Sequence, residues 1–530
     1  YAMYWRKDQH PILRAGVVES TVPAYDKPTP HTDMGRKHAE RVKSAGLLMR
    51  GIAARLQVNP DNALPAYEDA FYYLHRERLL PPNVSTLDSK LKDEEERARL
   101  ALVFEHGLDV PRGYVMPVQR QQSKAAWVSE RWKPRTGRLQ LMPGDSPVGF
   151  RLPLDSLPHV DAKDYPHLIE SDPFAIRNAL PKQFPQPFLQ LPATEREQRL
   201  SKQRLLTDEL LAAQQKTKTP YTEGVVRTAM SVEPRGDHLY VFMPPTANAD
   251  DFLELIAIVE DTAAELQLPV RIEGYPPPND PRLEVLKITP DPGVIEVNVQ
   301  PAASWKELTH IVSTVYDQAR LTRLTAEKFL VDGRSVGSGG GAHIVVGGAT
   351  PENSPFLRRP DMLGSLVRFW QNHPSLSYFF SGLFIGPTSQ HPRVDEARDA
   401  NLYELEIALA QLPKKGTPNI PLWIVDRILR HLLTDLTGNT HRSEICIDKL
   451  YSPDSSTGRL GLVEFRGFEM PPHLRMNLAQ QLLLRALIAH FWETPYEGEL
   501  VRWGTALHDR FLLPHFLWKD LTGVLDQLRS

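Results

Sequence analysis

Proline constrains this chain more than any other residue type. There are 47 prolines in 530 residues, about twice the usual share of roughly 5%. Proline has no amide hydrogen, and its ring clashes with the preceding helical turn. It is therefore kept out of helix interiors and central strands. The chain must be cut into short elements joined by extended connections. The densest such stretch is LPHVDAKDYPHLIESDPFAIRNALPKQFPQPFLQLP, followed by the polar TEREQRLSKQRLLTDELLAAQQKTKT. It reads as a connector over 156–225, in which Phe174, Phe184 and Phe188 can lie along a neighbouring domain. On this reading 1–155 is an N-terminal accessory α/β region and 226–530 is the main domain.

Apolar residues at helical spacing predict helices over Met34–Leu56, Asp250–Leu268, Trp305–Leu321, Asp361–Gln371, Tyr403–Leu412, Leu422–Leu436, Arg475–Trp492 and Leu507–Leu528. A charged helix is predicted over Asp88–Glu105. Residues 1 to about 30 give no firm element. Alternating segments between turn signals predict strands within 112–155 and at HLYVFMPP, VRIEGYP, VLKITPD, GVIEVNVQP, AHIVV, SEICIDKLY and LGLVEFRGFEM. Strands and helices mix without a βαβ rhythm, so the fold class is α+β, with a largely antiparallel sheet flanked by helices.

Bulk properties exclude several functions. A formal net charge of −3 gives no field that would draw nucleic acid or an anionic membrane surface. No apolar run approaches the roughly 20 residues of a membrane helix. The one cysteine, Cys446, rules out an internal disulfide and a multi-cysteine zinc site, and fits a reducing cytoplasm. Flanked by Ile445 and Ile447, it reads as a packing residue rather than a nucleophile. The opening YAMYWRKDQHP reads as the middle of a longer polypeptide.

Chemistry concentrates around SVGSGGGAHIVVGG, Ser335 to Gly348. Gly337, Gly339, Gly340 and Gly341 free the backbone to turn its N–H groups toward one point, as an anion cradle does. Arg334 precedes the loop and His343 follows it. P-loop and dinucleotide spacings are absent, so a tight turn before a hydrogen-bonded core histidine fits equally well. Three strands carry polar groups on one face: Glu296 and Asn298 with Val294; Glu464 and Arg466; and Glu444, Cys446 and Asp448. Each can be a solvated face. Gathered on one sheet, they would offer hard oxygen ligands, His343 and arginines, a set suited to Mg²⁺ or Mn²⁺ and phosphate transfer. The charged segment GPTSQHPRVDEARD, with Arg393, Asp395, Glu396 and Arg398, reads as a solvated turn, with a substrate-side loop as the alternative.

Together GVIEVNVQP, SVGSGGGAHIVVGG, NTHRSEICIDKLYSP and GLVEFRGFEMPPH resemble the amidoligase family with the glutamine-synthetase-like fold. That family belongs to the carboxylate–amine ligases, with glutamine synthetase and glutamate–cysteine ligase. The resemblance is dense over about 225–510 and looser in PAYEDAFYYLHRER and GDSPVGFRLPLDSLP. It implies a metal held by Glu296, Asn298, His343 and Glu464. It implies a nucleotide held by Gly339, Gly340, Gly341, His343 and Arg334. Glu464, Arg466 and Arg442 would be catalytic, with Glu444 beside them. The implied cofactors are ATP and Mg²⁺ (or Mn²⁺). The implied reaction is amide formation through an acyl phosphate on a small-molecule or peptide substrate. The implied partners are a transglutaminase-like cysteine protease domain or an ATP-grasp protein, in the cytoplasm, with no nucleic acid and no membrane.

Two departures stand out. Asn298 replaces a second strand carboxylate, and Val345 replaces a second histidine. Both favour a rival reading, a non-catalytic peptide-binding or scaffold module that partners a transglutaminase-like protease. A further alternative is a guanidino-kinase-like phosphotransferase.

Overall fold

The computed structural model describes residues 2–13, 16, 18–19, 34–78, 107–121, 126–134, 137–143, 150–152, 157, 171–182, 226–235, 238–291, 293–338, 340–381, 386–397, 402–454 and 458–529. The predicted helix Asp88–Glu105 and most of the connector lie outside these residues. The chain forms two compact units. One comprises Tyr1–Lys7, Ser171–Asn178 and Pro281–Ser530; the other comprises Asp8–Glu170 and Ala179–Asp280.

In the second unit, eight strands of the described residues form one mixed sheet. Their order is Val18–Glu19, Val270–Gly274, His238–Met243, Ala229–Arg235, Gly113–Pro117, Leu64–Glu68, Leu139–Pro143 and Phe150–Arg151. Three of its pairings are parallel, so "largely antiparallel" does not describe this sheet. The main division between the units falls at 280/281. The reason is hydrogen bonding: Ala229–Arg235 pairs on one side with Gly113–Pro117 and on the other with His238–Met243. A cut before residue 226 would strip that strand of a partner and leave an open edge. The helix Met34–Arg55 buries Ala45, Leu48, Met49 and Ile52, the apolar stripe predicted for it. A Cβ on Gly46 would lie 2.8 Å from the Tyr114 ring, so the glycine leaves room for that ring where the helix meets its sheet. Glu273 faces Arg235 within this unit.

The other unit holds the glycine loop and the charged strands. Its sheets, among the described residues, are all antiparallel. Ala2–Arg6, Leu283–Asp291 and Val294–Asn298 make one, so the chain's first residues do form a strand. Glu327–Phe329 and Ser335–Gly337 make a hairpin. Ile344–Val346, Val463–Phe465 and Ile445–Cys446 make a third sheet with Val463–Phe465 in the centre. The helices Trp305–Leu321, Pro360–Asn372, Leu402–Ala410, Ile424–Leu429 and Leu474–Glu493 correspond to predicted ones. The predicted helix Leu507–Leu528 is instead two, Ala506–Phe511 and Pro514–Arg529. Pro514 cannot donate an amide hydrogen bond to the preceding turn, so the first helix stops and a new one begins at the proline. Ser304 caps Trp305–Leu321 by accepting from the Glu307 amide at 3.2 Å, and the Glu307 carboxylate reaches back to the Ala303 amide at 2.8 Å. This is a capping-box pattern displaced by one residue at its return contact.

The core of this unit is built on Pro360–Asn372, where Met362, Leu363, Leu366 and Phe369 are buried against Phe356, Leu429, Phe465 and Phe491. Phe369 packs edge-on to Phe491 at 5.1 Å and to Tyr496 at 5.2 Å. Phe369→Ala should cost about 3–5 kcal/mol. Urea unfolding should show a lower midpoint with an unchanged slope, and an unchanged midpoint would place Phe369 outside the load of the core.

Candidate active site

The site grows out of the three-stranded sheet. Side chains directly opposite each other in antiparallel strands share a face. Ile344, Ile445 and Phe465 are opposed in register, and so are Val345, Cys446 and Glu464. The first set turns into the hydrophobic core. The second set turns the other way, which places Glu464 in the middle of the sheet's polar face. The expectation that Glu464 and Val463 face apart is met.

Glu464 is buried, and both its oxygens are taken. Oε1 accepts from Arg466 Nη1 at 2.8 Å and lies 3.1 Å from His343 Nδ1; Oε2 accepts from Lys449 Nζ at 2.8 Å. Burial pushes the carboxyl up. The hydrogen bonds from His343 and Lys449 and the charges of Lys449 and Arg466 outweigh it, holding Glu464 well below the usual carboxylate range. One carboxylate thus organises two cations and an imidazole.

The glycine loop is clamped above this cluster. Ala342 donates to the Phe468 carbonyl at 2.8 Å, and Met470 donates to the Gly340 carbonyl at 3.0 Å. A Cβ on Gly341 would fall 2.3 Å from His343 Nε2, so the missing side chain is the space in which the imidazole lies. His343 Nε2 is itself buried without a hydrogen-bond partner among the described residues. The Gly340 amide donates to Ser338 Oγ at 3.2 Å. Two of the loop amides are therefore engaged within the protein, which narrows the anion cradle expected of them. Gly339 lies outside the described residues.

The other expected residues are spread more widely. Glu296 and Asn298 are exposed on Val294–Asn298, in a different sheet of the same unit. The methyls of Val294 lie 3.7 and 3.8 Å from where a Gly340 Cβ would be, and Glu296 and Asn298 share its face by alternation. Arg442 holds a loop: Nη2 donates to the Ser389 carbonyl at 2.9 Å and Nη1 lies 3.6 Å from Asp435. That loop leads to His391. Burial and the nearby charges of His343 and Arg466 push the His391 imidazole down, which puts His391 in the same electrostatic neighbourhood. Arg334 pairs with Asp332 at 2.7 Å at an exposed hairpin turn.

Glu444 belongs to a buried network behind the strand. Arg393 is 1% exposed. It binds Asp395 through Nε at 2.9 Å and Nη2 at 3.1 Å, Ser377 Oγ at 2.9 Å and the Gln371 carbonyl at 2.8 Å. The expected solvated turn around Arg393 and Asp395 is therefore buried. A guanidinium this fully hydrogen-bonded can leave water. Arg398 lies outside the described residues. Burial pushes Glu444 up to about 7 against the pull of Arg393 and Ser377, with Glu396 and Asp395 adding to the rise. Cys446 is buried beside Glu464 on the sheet's polar face, and burial pushes its thiol up to about 12, which does not suit a nucleophile. Lys449, His391 and His441 were not singled out by sequence. Lys449 stands three residues past Cys446 in SEICIDKLY, but its aim is set by a turn.

The model of a family described as "Putative amidoligase enzyme (DUF2126)" matches residues 1–530. The chain belongs to this family. No curated protein and no solved structure matches it. An amidoligase that used ATP would need cationic donors for a polyphosphate, and Lys449, Arg466 and His343 are such a set. A hard metal fits less well. Both Glu464 oxygens face cations at 2.8 Å, so a metal would have to displace one of them. Among the described residues, the three-ligand groupings of His, Cys, Asp and Glu do not include Glu296, His343 and Glu464 together.

Glu444 makes a pH test available. Its folded-state value of about 7 against the ordinary 4.5 means that between these two values the native state keeps a proton the unfolded chain has lost. Its contribution to stability is present below about 4.5 and is lost as pH rises through about 7. Glu444→Gln should be less sensitive to pH across that window, read as denaturation midpoints at several pH values. Parallel curves for variant and wild type would remove Glu444 as the titrating group.

Proposed function

We propose that this amidoligase-family chain is an ATP-dependent carboxylate–amine ligase acting on a peptide or amino-acid-like substrate. The observation that carries the reading is the Glu464 cluster: two cations and an imidazole held on one carboxylate beside a glycine loop. Glu464 acts as the positioning residue, and Arg466 and Lys449 face the phosphates. A substrate carboxylate oxygen attacks the γ-phosphorus, a P–O bond forms and ADP leaves with the bonding pair. The amine nitrogen then attacks the acyl carbon, phosphate leaves, and the surplus amine proton goes to solvent or a nearby base. Phosphoryl transfer asks of the protein mainly placement and charge neutralisation, which is what paired Lys and Arg supply. Mg²⁺ would arrive with the nucleotide and neutralise phosphate charge; Glu296 is the exposed carboxylate nearest in the chain to the strand end that meets the loop. A glutamine-synthetase-like arrangement of this unit, a cytoplasmic setting, and a transglutaminase-like protease or ATP-grasp partner belong to the same proposal.

Asn298 and Val345 favour a second reading, a peptide-binding module without turnover. One experiment separates the readings. The chain is incubated with Mg-ATP and a mixed peptide and amino-acid pool, and products are weighed by mass spectrometry. A ligase gives products lighter by one water than their summed parts; a phosphotransferase gives stable products that have gained a phosphoryl group. Mg-ATP at 100 times its dissociation constant should also stabilise the folded chain by roughly 2.7 kcal/mol. Arg466→Ala should lower turnover by about 10²–10³-fold, the loss seen on removing one transition-state donor, with circular dichroism unchanged. Neither product nor thermal shift from a folded wild type would sink the ligase.

A further inference from the structure

On the same polar face of the sheet, next to Glu464, lies a group of side chains that the ligase chemistry does not use. His441, Cys446 and Asp448 each turn one ligand atom inward, and the three atoms lie within 4.8 Å of one another. Two turns and a strand bring them together. The first turn is fixed by Asp435, whose Oδ1 accepts from the amides of Thr437 at 2.8 Å and Asn439 at 3.0 Å; Asn439 Oδ1 then accepts from the His441 amide at 2.9 Å. The strand Ile445–Cys446 points Cys446 away from the core. The second turn closes with Leu450 donating to the Ile447 carbonyl at 2.9 Å, which returns Asp448 to the side of Cys446.

Two of the separations match those of a coordination sphere. His441 Nδ1 is 3.7 Å from Cys446 Sγ and 3.4 Å from Asp448 Oδ2. Zinc bonds of about 2.0–2.1 Å to nitrogen and oxygen and about 2.3 Å to sulfur, at tetrahedral angles, put the ligand atoms about 3.4–3.6 Å apart. Thr440 Oγ1 donates to Asp448 Oδ2 at 2.8 Å, the kind of outer contact that orients a metal-binding carboxylate. A thiolate with an imidazole selects a borderline-soft ion over magnesium or calcium. Thiolate, carboxylate and neutral imidazole together also cancel a charge of +2.

We propose that His441, Cys446 and Asp448 form a binding site for a single Zn²⁺ ion, through Nδ1, Sγ and a carboxylate oxygen. The ion forms a bond to sulfur, and the thiol proton leaves to solvent. Three protein ligands leave a fourth position, open to water or a ligand oxygen. Cys446 stands directly opposite Glu464 in the sheet, where Cα atoms are about 4.5–5.5 Å apart. The metal therefore adjoins the Lys449–Glu464–Arg466 cluster without drawing on any of its donors. The site is independent of the ligase reading, since it needs neither nucleotide nor turnover.

The test uses the full chain, stripped with a chelator and reloaded with Zn²⁺ or Co²⁺. One equivalent of Zn²⁺ per chain is expected by elemental analysis. Bound Co²⁺ should show intense visible bands of tetrahedral geometry and a near-ultraviolet thiolate-to-cobalt charge-transfer band. Cys446→Ser should abolish the charge-transfer band. His441→Ala should weaken Zn²⁺ binding by at least about 10–100-fold, the loss already seen for outer-shell partners. Its side chain is 58% exposed, so this variant stays folded even if Cys446→Ser does not. A folded wild type without a thiolate band, or Zn²⁺ affinity unchanged by His441→Ala, would overturn the site.

Discussion

A carboxylate buried among cations is the constraint on which this structure turns. Glu464 sits below the surface of its unit with Arg466, Lys449 and His343 on its two oxygens. Glu464 and Arg466 are the two that burial would penalise if each stood alone. A buried lone carboxylate would take up a proton, and a lone guanidinium or ammonium would be drawn out to water. Held together, they keep charge in a place where the surrounding dielectric does little to screen it. The glycine loop follows from this arrangement, because Gly341 has to leave room for the ring that completes it.

The cluster is also tied to the rest of its unit through backbone and not only through side chains. Arg466 donates its amide to the Glu444 carbonyl at 2.7 Å, and Glu444 faces Arg393. Arg393 in turn binds Ser377 and the carbonyls at the end of Pro360–Asn372. That helix carries the hydrophobic core. A path of hydrogen bonds and charge contacts therefore links the polar face of the sheet to the helix Pro360–Asn372. It gives the exposed chemistry a rigid support.

Much of this was legible in the sequence, where the signal was local. Helical spacing located Trp305–Leu321 and Pro360–Asn372, and strand alternation put Glu464 opposite Val463 and Phe465. The glycines ahead of His343 marked a place where side chains could not be afforded. Signals carried by distant partners were not legible. Nothing in HLYVFM says that its strand lies beside Ala229–Arg235 and, through it, beside Gly113–Pro117. Charged letters around Arg393 look like surface until Trp370, Gln371 and Ser377 are seen to supply acceptors. Lys449 and His441 sit in turns, where direction depends on dihedral angles that periodicity does not encode.

The central strand Val463–Phe465 spans three residues. Its middle side chain belongs to ions and its outer two to hydrocarbon. A slip of one residue would drive Glu464 into the aromatic core and Phe465 among the cations, since each step reverses every side chain. So short a ribbon has few backbone bonds to set its alignment, yet a misaligned pairing would be penalised on both faces at once. Specificity of folding here comes from polarity contrast more than from length. Substitutions that soften the contrast on either side should therefore blur the alignment of the whole sheet before they empty it of stability.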